Sequence, residues 1–156
     1  MDRPDQGRVG VSAEHLEDIP DGALVALDSA PIIYYLQDHP TFAPRFSPLF
    51  DAVAEGRLTL VISTVTLAEV MTGPFAADNE VLAMQYREVM CHSPGWQTIP
   101  VDENVAAEAA RLRARYRLRL PDAIQVATAI ATRAWALITH DSALAKVKDI
   151  RVLGVG

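Results

Sequence analysis

Short apolar runs alternate with longer stretches in which apolar residues recur at helical spacing. Ala23–Asp28 is a short apolar run, and Leu58–Ile62 is apolar and β-branched. Both patterns predict buried strands. Trp96–Pro100, Ala136–Thr139 and Ile150–Leu153 read as three more strands. Helices are predicted between them. Ser29 is placed to N-cap one running through Gln37, with Pro31 tolerated in its first turn. Phe42–Glu55 is a second, stopped by Gly56, and Thr64 or Thr66 opens a third that stops at Gly73-Pro74. Asp78–Met90 carries Val81, Met84, Tyr86 and Val89 partly in phase, and Asp102–Tyr116 carries Val105, Ala109, Leu112 and Tyr116 at helical spacing. Pro121–Ala134 is an alanine-rich helix and Ser142–Val147 a short one. Apolar strands alternating with helices imply a parallel sheet covered on both faces.

Residues 1–20 have weak periodicity and end in Asp-Ile-Pro-Asp-Gly, a turn signal. They are expected to form a mobile acidic extension (1–22), with one helical turn at Ser12–Asp18, ahead of a single domain over 23–156. A chain of 156 residues suits one domain with a real core. With 50% apolar and 22% charged residues, it is globular rather than disordered. No apolar run reaches the roughly 18–20 residues that span a bilayer, and the polar start lacks a signal-peptide core. The single cysteine, Cys91, excludes an internal disulfide and gives no zinc spacing. These features suggest the cytoplasm and no membrane. The net charge of −6 argues against a nucleic-acid binder, but residues 1–21 hold six acids and two arginines, leaving only −2 for the body.

Four acids carry the chemistry: Asp28, Glu69, Asp122 and Asp141. Each follows an apolar run or opens a helix, so each falls at the carboxyl end of the sheet, where ligand crevices lie. Each also has a local explanation. Asp28 suits a turn or N-cap, Glu69 a capping box with Thr66, Asp122 a helix start, and Asp141 another cap. Those explanations do not account for all four sharing one end of the sheet. A divalent-metal site does, and it points to a metal-dependent phosphodiesterase. Oxygen-only ligands suit Mg²⁺ or Mn²⁺.

Rival chemistries are weaker. His15, His39, His92 and His140 form no i, i+4 pair, no glycine-rich phosphate loop is present, and Ser29 and Ser63 lack a nucleophile-elbow context. Cys91 beside His92 is an adjacency, not a catalytic pair. A phosphatase of the two-aspartate type needs a second Asp two residues after the first, where Ala30 stands. Arg111, Arg113, Arg115, Arg117 and Arg119 alternate with other residues just before Asp122. They read as a solvated helix face, or as contacts to phosphate or an acidic partner segment.

DSAPIIYYL after a strand, STVTLAEV, LRLPDAIQVATAIA and LITHDSAL, in this order, resemble the PIN domain, and most closely the VapC-type toxins of bacterial toxin–antitoxin pairs. The resemblance spans about residues 23–153. It implies a three-layer α/β/α sandwich with a parallel five-stranded sheet and a Mg²⁺- or Mn²⁺-dependent endoribonuclease. Asp28, Glu69, Asp122 and Asp141 are then the catalytic metal-binding set. Thr139 supports the site through its hydroxyl, and Ser63 opens the glutamate helix. A small antitoxin partner, a homodimer, and structured RNA such as tRNA or rRNA as substrate are also implied. The alternatives are a catalytically inactive PIN-like interaction module and a housekeeping RNA-processing nuclease. The chain departs from the family at its long acidic start. It departs again at His140, where asparagine or arginine is common, and at Ser142-Ala143-Leu144.

Overall fold

The computed structural model describes residues 16–154. Five strands, β1 (Leu24–Leu27), β2 (Thr59–Ser63), β3 (Trp96–Ile99), β4 (Ala136–Thr139) and β5 (Val152–Gly154), form one sheet in the order β3-β2-β1-β4-β5. Every pairing is parallel. The helices are α1 (Ser29–Leu36), α2 (Ala43–Ala54), α3 (Thr64–Ala76), α4 (Glu80–His92), α5 (Glu103–Tyr116) and α6 (Leu120–Ala131), with a 3-10 turn at Ser142–Lys146.

Strand side chains alternate between two cores. Val25, Leu27, Leu60, Ile62 and Ile138 pack with Ile32, Phe46, Leu49, Phe50, Val70 and Met90 of α1–α4. Ala26, Leu137 and Val152 pack with Val105, Ala109, Leu112, Ala123, Val126 and Ala127 of α5 and α6. This is the expected three-layer α/β/α sandwich. Residues of both β1 and β4 are buried on both faces, so truncating Leu137 or Ile138 to Ala should cost about 2–5 kcal/mol. On α6, Asp122 through Ala129 are all buried, which explains the alanines: small side chains let the helix lie close to the sheet.

Several local expectations are corrected. Asp28, not Ser29, N-caps α1, because its carboxylate Oδ1 accepts from the following Ser29 amide at 2.7 Å. Ser63 N-caps α3 by accepting from the Val65 amide at 3.1 Å. Thr66 is buried inside that helix and forms no capping box with Glu69. The helix also continues past Gly73-Pro74 to Ala76. The proline forfeits one amide bond, but the Pro74 carbonyl accepts from Ala77 and Asn79, and Asp78 turns the chain with φ 52°. α6 ends at Ala131 rather than Ala134, since Arg133 adopts φ 56° and breaks the ladder. Gly95 turns the chain into β3 with φ 82°, where an added Cβ would lie 2.9 Å from Val53 Cγ1.

Leu16 and Ile19 are buried in the α1–α4 core, so packed chain reaches forward of Ala23. The helical turn expected at Ser12–Asp18 falls largely outside the described residues. None of the described helices is long and apolar enough to cross a membrane.

Candidate active site

Register places the first carboxylate. Leu27 pairs with Ile138, so the next residues along, Asp28 and Thr139, lie side by side at the carboxyl edge. Leu27 and Ile138 face the α1–α4 core, and strand alternation therefore turns Asp28 and Thr139 toward α6. Thr139 is fully buried and donates Oγ1–H to Asp28 Oδ2 at 2.7 Å. Its oxygen accepts from the Asp141 amide at 2.9 Å. One hydroxyl thus ties the first aspartate to the loop that carries the last. Asp141 Oδ1 caps the 3-10 turn by accepting from the Ala143 amide at 2.9 Å.

The other two acids come from helices. Ser63 starts α3 at the end of β2, and Glu69 follows about one and a half turns later. On α6, Pro121 sits in the first turn and Asp122 follows it, where the helix dipole favours an anion. One turn further on, Gln125 donates Nε2–H to Glu69 Oε1 at 2.8 Å, which links α6 to α3. Arg119, just before α6, donates from Nε to Asp122 Oδ2 at 3.1 Å.

Asp28, Glu69, Asp122 and Asp141 all line one cleft of about 270 Å³, together with Ser29, Ala30, Tyr34, Arg119 and His140. Thr139 lies beneath it and Ser63 at the root of α3, so all six expected residues gather around one end of the sheet. Sequence reasoning missed Gln125 and Tyr34, and it left Arg119 within an undifferentiated run. The α6 register held the signal for Gln125, because three residues beyond Asp122 lies on the same helix face.

The charges are not balanced. Partial burial against the cleft walls raises the pKa of Glu69, and the charges of Asp28 and Asp122 raise it further against the opposing Gln125 hydrogen bond. Glu69 nevertheless stays open to solvent, which screens the effect. Burial also raises Asp122, with Asp28 and Asp141 adding to it, while Arg119 pulls the other way. Arg119 answers with a raised pKa of its own, caused first by its hydrogen bond to Asp122. The arrangement holds carboxylates together with a single nearby cation among the residues lining the cleft.

A family model described as the PIN domain matches residues 25–150. The chain belongs to the PIN domain family. Several solved structures share its architecture. VapBC2 from Rickettsia felis, bound to a DNA fragment from its promoter, matches with a TM-score of 0.69 at 16% identity, over 85% of this chain and 99% of that one. FitAcB from Neisseria gonorrhoeae gives 0.64 at 22% identity, over 83% and 96%. Mycobacterium tuberculosis VapC20, a toxin that cleaves the sarcin–ricin loop, gives 0.60 at 11% identity, over 72% and 86%. No curated protein matches the sequence. At these identities the likeness to solved structures establishes the PIN fold itself.

The donor set suits a hard cation: four carboxylates, no thiolate, and mutual repulsion that a divalent ion would relieve. Among the described residues, no three His, Cys, Asp or Glu side chains stand in an arrangement that would hold an ion as placed. Arg119 and Gln125 each engage one oxygen of Asp122 and Glu69, through Oδ2 and Oε1 respectively.

Proposed function

We propose that this PIN domain is a divalent-metal-dependent endoribonuclease, the toxin of a toxin–antitoxin pair. One observation carries the reading: carboxylates from four separate elements converge on one cleft, where burial first and acidic neighbours next raise the proton affinity of Glu69 and Asp122. A fold gains no stability from such repulsion, so a function that uses the charge is the economical explanation. Asp28, Asp122 and Asp141 are the proposed ligands of Mg²⁺ or Mn²⁺, with Glu69 as a ligand or as the group that orients the attacking water. The bound ion would supply a water of lowered pKa and neutralise charge on the leaving oxygen.

The protein's own part is positional. Thr139 fixes the Asp28 carboxylate and the Asp141 loop together. Gln125 aims Glu69, and Ser63 sets the start of its helix. Arg119 is the local cation, exposed at the mouth and able to exchange Asp122 for an RNA phosphate.

An antitoxin partner and a homodimer belong to the same reading. Support comes from α4, whose Tyr86 and Met90 are buried while Val81 and Met84 are exposed between Glu80, Gln85 and Glu88. Apolar side chains of that size gathered on one exposed helix face suit a partner surface. Structured RNA such as tRNA or rRNA is the proposed substrate class.

The pairing of Asp122 with Arg119 favours one rival, a PIN-like interaction module that has traded catalysis for an internal ion pair. Purified protein, freed of any antitoxin, decides between them when incubated with total RNA and Mg²⁺ or Mn²⁺ beside Asp122→Ala. Discrete metal-dependent cleavage lost in the variant supports the nuclease. No cleavage, with no metal binding by calorimetry, supports the module.

A further inference from the structure

Four rings gather at the lip of the cleft, outside the acidic set. Tyr34 and His140 form part of the cleft wall itself. Tyr34 Oη and His140 Nδ1 are hydrogen-bonded at 2.8 Å, and their rings meet edge-on with centroids 5.4 Å apart. Phe42 lies against both, 4.9 Å from Tyr34 and 4.8 Å from His140. His39 stacks on Phe42 at 4.8 Å and is fixed there, because its Nδ1 accepts from the Thr41 and Phe42 amides. The Arg45 guanidinium stands 5.4 Å from the Phe42 centroid.

These rings are not simply core. Phe46, stacked beneath Tyr34, is fully buried, whereas Tyr34, His39, Phe42 and His140 are each only half-buried. The cluster is thus anchored on the core and partly exposed to solvent. The bond that orients His140 uses Nδ1, and Nε2 has no partner among the described residues. Whichever tautomer is present, a polar ring atom remains free. Strand alternation also separates the two functions. Thr139 turns to Asp28 while His140, the next residue, turns to Tyr34 on α1. Because Tyr34 and His140 line the same cleft as the four carboxylates, a group resting on the rings would still adjoin a phosphate held there.

We propose that Tyr34, Phe42 and His140 form a shelf that receives an unpaired nucleobase beside the phosphodiester to be cut. The proposal rests on the nuclease reading. It makes single-stranded or looped RNA the substrate, because a base in an A-form duplex is stacked and cannot be laid on a ring. Stacking accepts any base, so the shelf selects exposure rather than sequence. Arg45 extends the platform with a cation suited to the neighbouring backbone.

The test uses the full chain with Mn²⁺ and a short random-sequence single-stranded RNA pool carrying 4-thiouridine. Cleavage is followed in the dark, and a parallel sample is irradiated and its adducts mapped by mass spectrometry. Phe42→Leu keeps apolar volume and removes the π-face, while His140→Gln keeps polarity and removes the ring. The expected result is adducts on the peptides carrying Phe42 or His140. Both variants should raise KM roughly 5- to 100-fold with kcat nearly kept. Mn²⁺ affinity and melting temperature should stay at the wild-type values, and a fully paired duplex should compete poorly. Metal-dependent cleavage with unchanged KM in both variants and adducts elsewhere would overturn the shelf and leave the nuclease standing. No metal-dependent cleavage of any RNA would overturn both.

Discussion

Two groups of carboxylates in this molecule are treated oppositely by the fold. Glu108 and Asp149 share Arg111, with contacts of 2.6 and 2.7 Å, and Asp149 also accepts from Tyr116 Oη. Hydrogen bonds to Arg111 hold both carboxyls below their usual range. Glu69 and Asp122 are instead pushed up, by burial first and then by their acidic neighbours. The first group is a structural clasp between α5 and the loop before β5. In the second, the charged form of each carboxylate is disfavoured where it stands. The arginine run is divided by the same contrast: Arg111 belongs to the clasp, Arg119 to the cleft, and Arg113, Arg115 and Arg117 are solvent-exposed.

The comparison breaks most sharply at Asp28. Asp28→Asn should lose more than about 100-fold in cleavage rate, beyond the range typical of residues that only support metal ligands. Its fold should survive, since asparagine caps a helix as well as aspartate does. A circular dichroism melt alongside the RNA assay checks both halves, and wild-type rates would refute the role given to Asp28.

Thr139→Val comes next. It removes a buried hydroxyl with two partners, so stability should drop by about 1–3 kcal/mol in urea melts. Mn²⁺ affinity should fall about 10- to 100-fold by calorimetry, with Thr139→Ser restoring both. An unchanged Mn²⁺ affinity in Thr139→Val would count against Thr139 as the support of Asp28.

Arg119→Gln should act with opposite signs. Mn²⁺ should bind several-fold more tightly once the competing guanidinium is gone, while RNA is cut more slowly. Weaker metal binding would show that Arg119 supports the site rather than competing for Asp122.

The smallest effects are in pH dependence without metal. A carboxylate with a raised folded pKa contributes stability at low pH that is lost as pH rises through that pKa. One with a depressed pKa contributes above its unfolded value, about 4, and loses it in acid. In EDTA, Glu69→Gln should therefore gain melting temperature over wild type as pH rises through the carboxylate range. Asp149→Asn should lose up to roughly 3 °C at neutral pH, with the deficit shrinking in acid. Parallel trends for the two variants would erase the contrast.

Much of the fold was legible in the chain. Apolar runs at Ala23–Asp28, Leu58–Ile62 and Ala136–Thr139 mark strands buried on both faces, and the helical spacing of Asp102–Tyr116 marks α5 to within a residue. Helix ends were less legible. Thr66 and Glu69 have capping-box spacing, yet Ser63 takes the cap because β2 ends there and turns its side chain onto the Val65 amide. A stop at Gly73-Pro74 was reasonable from propensity, but packing of Val70 and Pro74 carries the helix one turn further.

The sequence by itself determined which residues carry charge at strand ends and helix starts, because strand period and helix dipole are local properties. Only the tertiary structure decided who meets whom. Asp28 and Thr139 are brought together by the β1–β4 register across 111 residues, and Glu69 and Gln125 by the packing of α3 against α6 across 56. Tyr34 meets His140 only because α1 lies over the end of β4. Local spacing specifies an element and its face. The partner on that face is set by strand order and helix packing, which arise from burying both sides of the sheet at once.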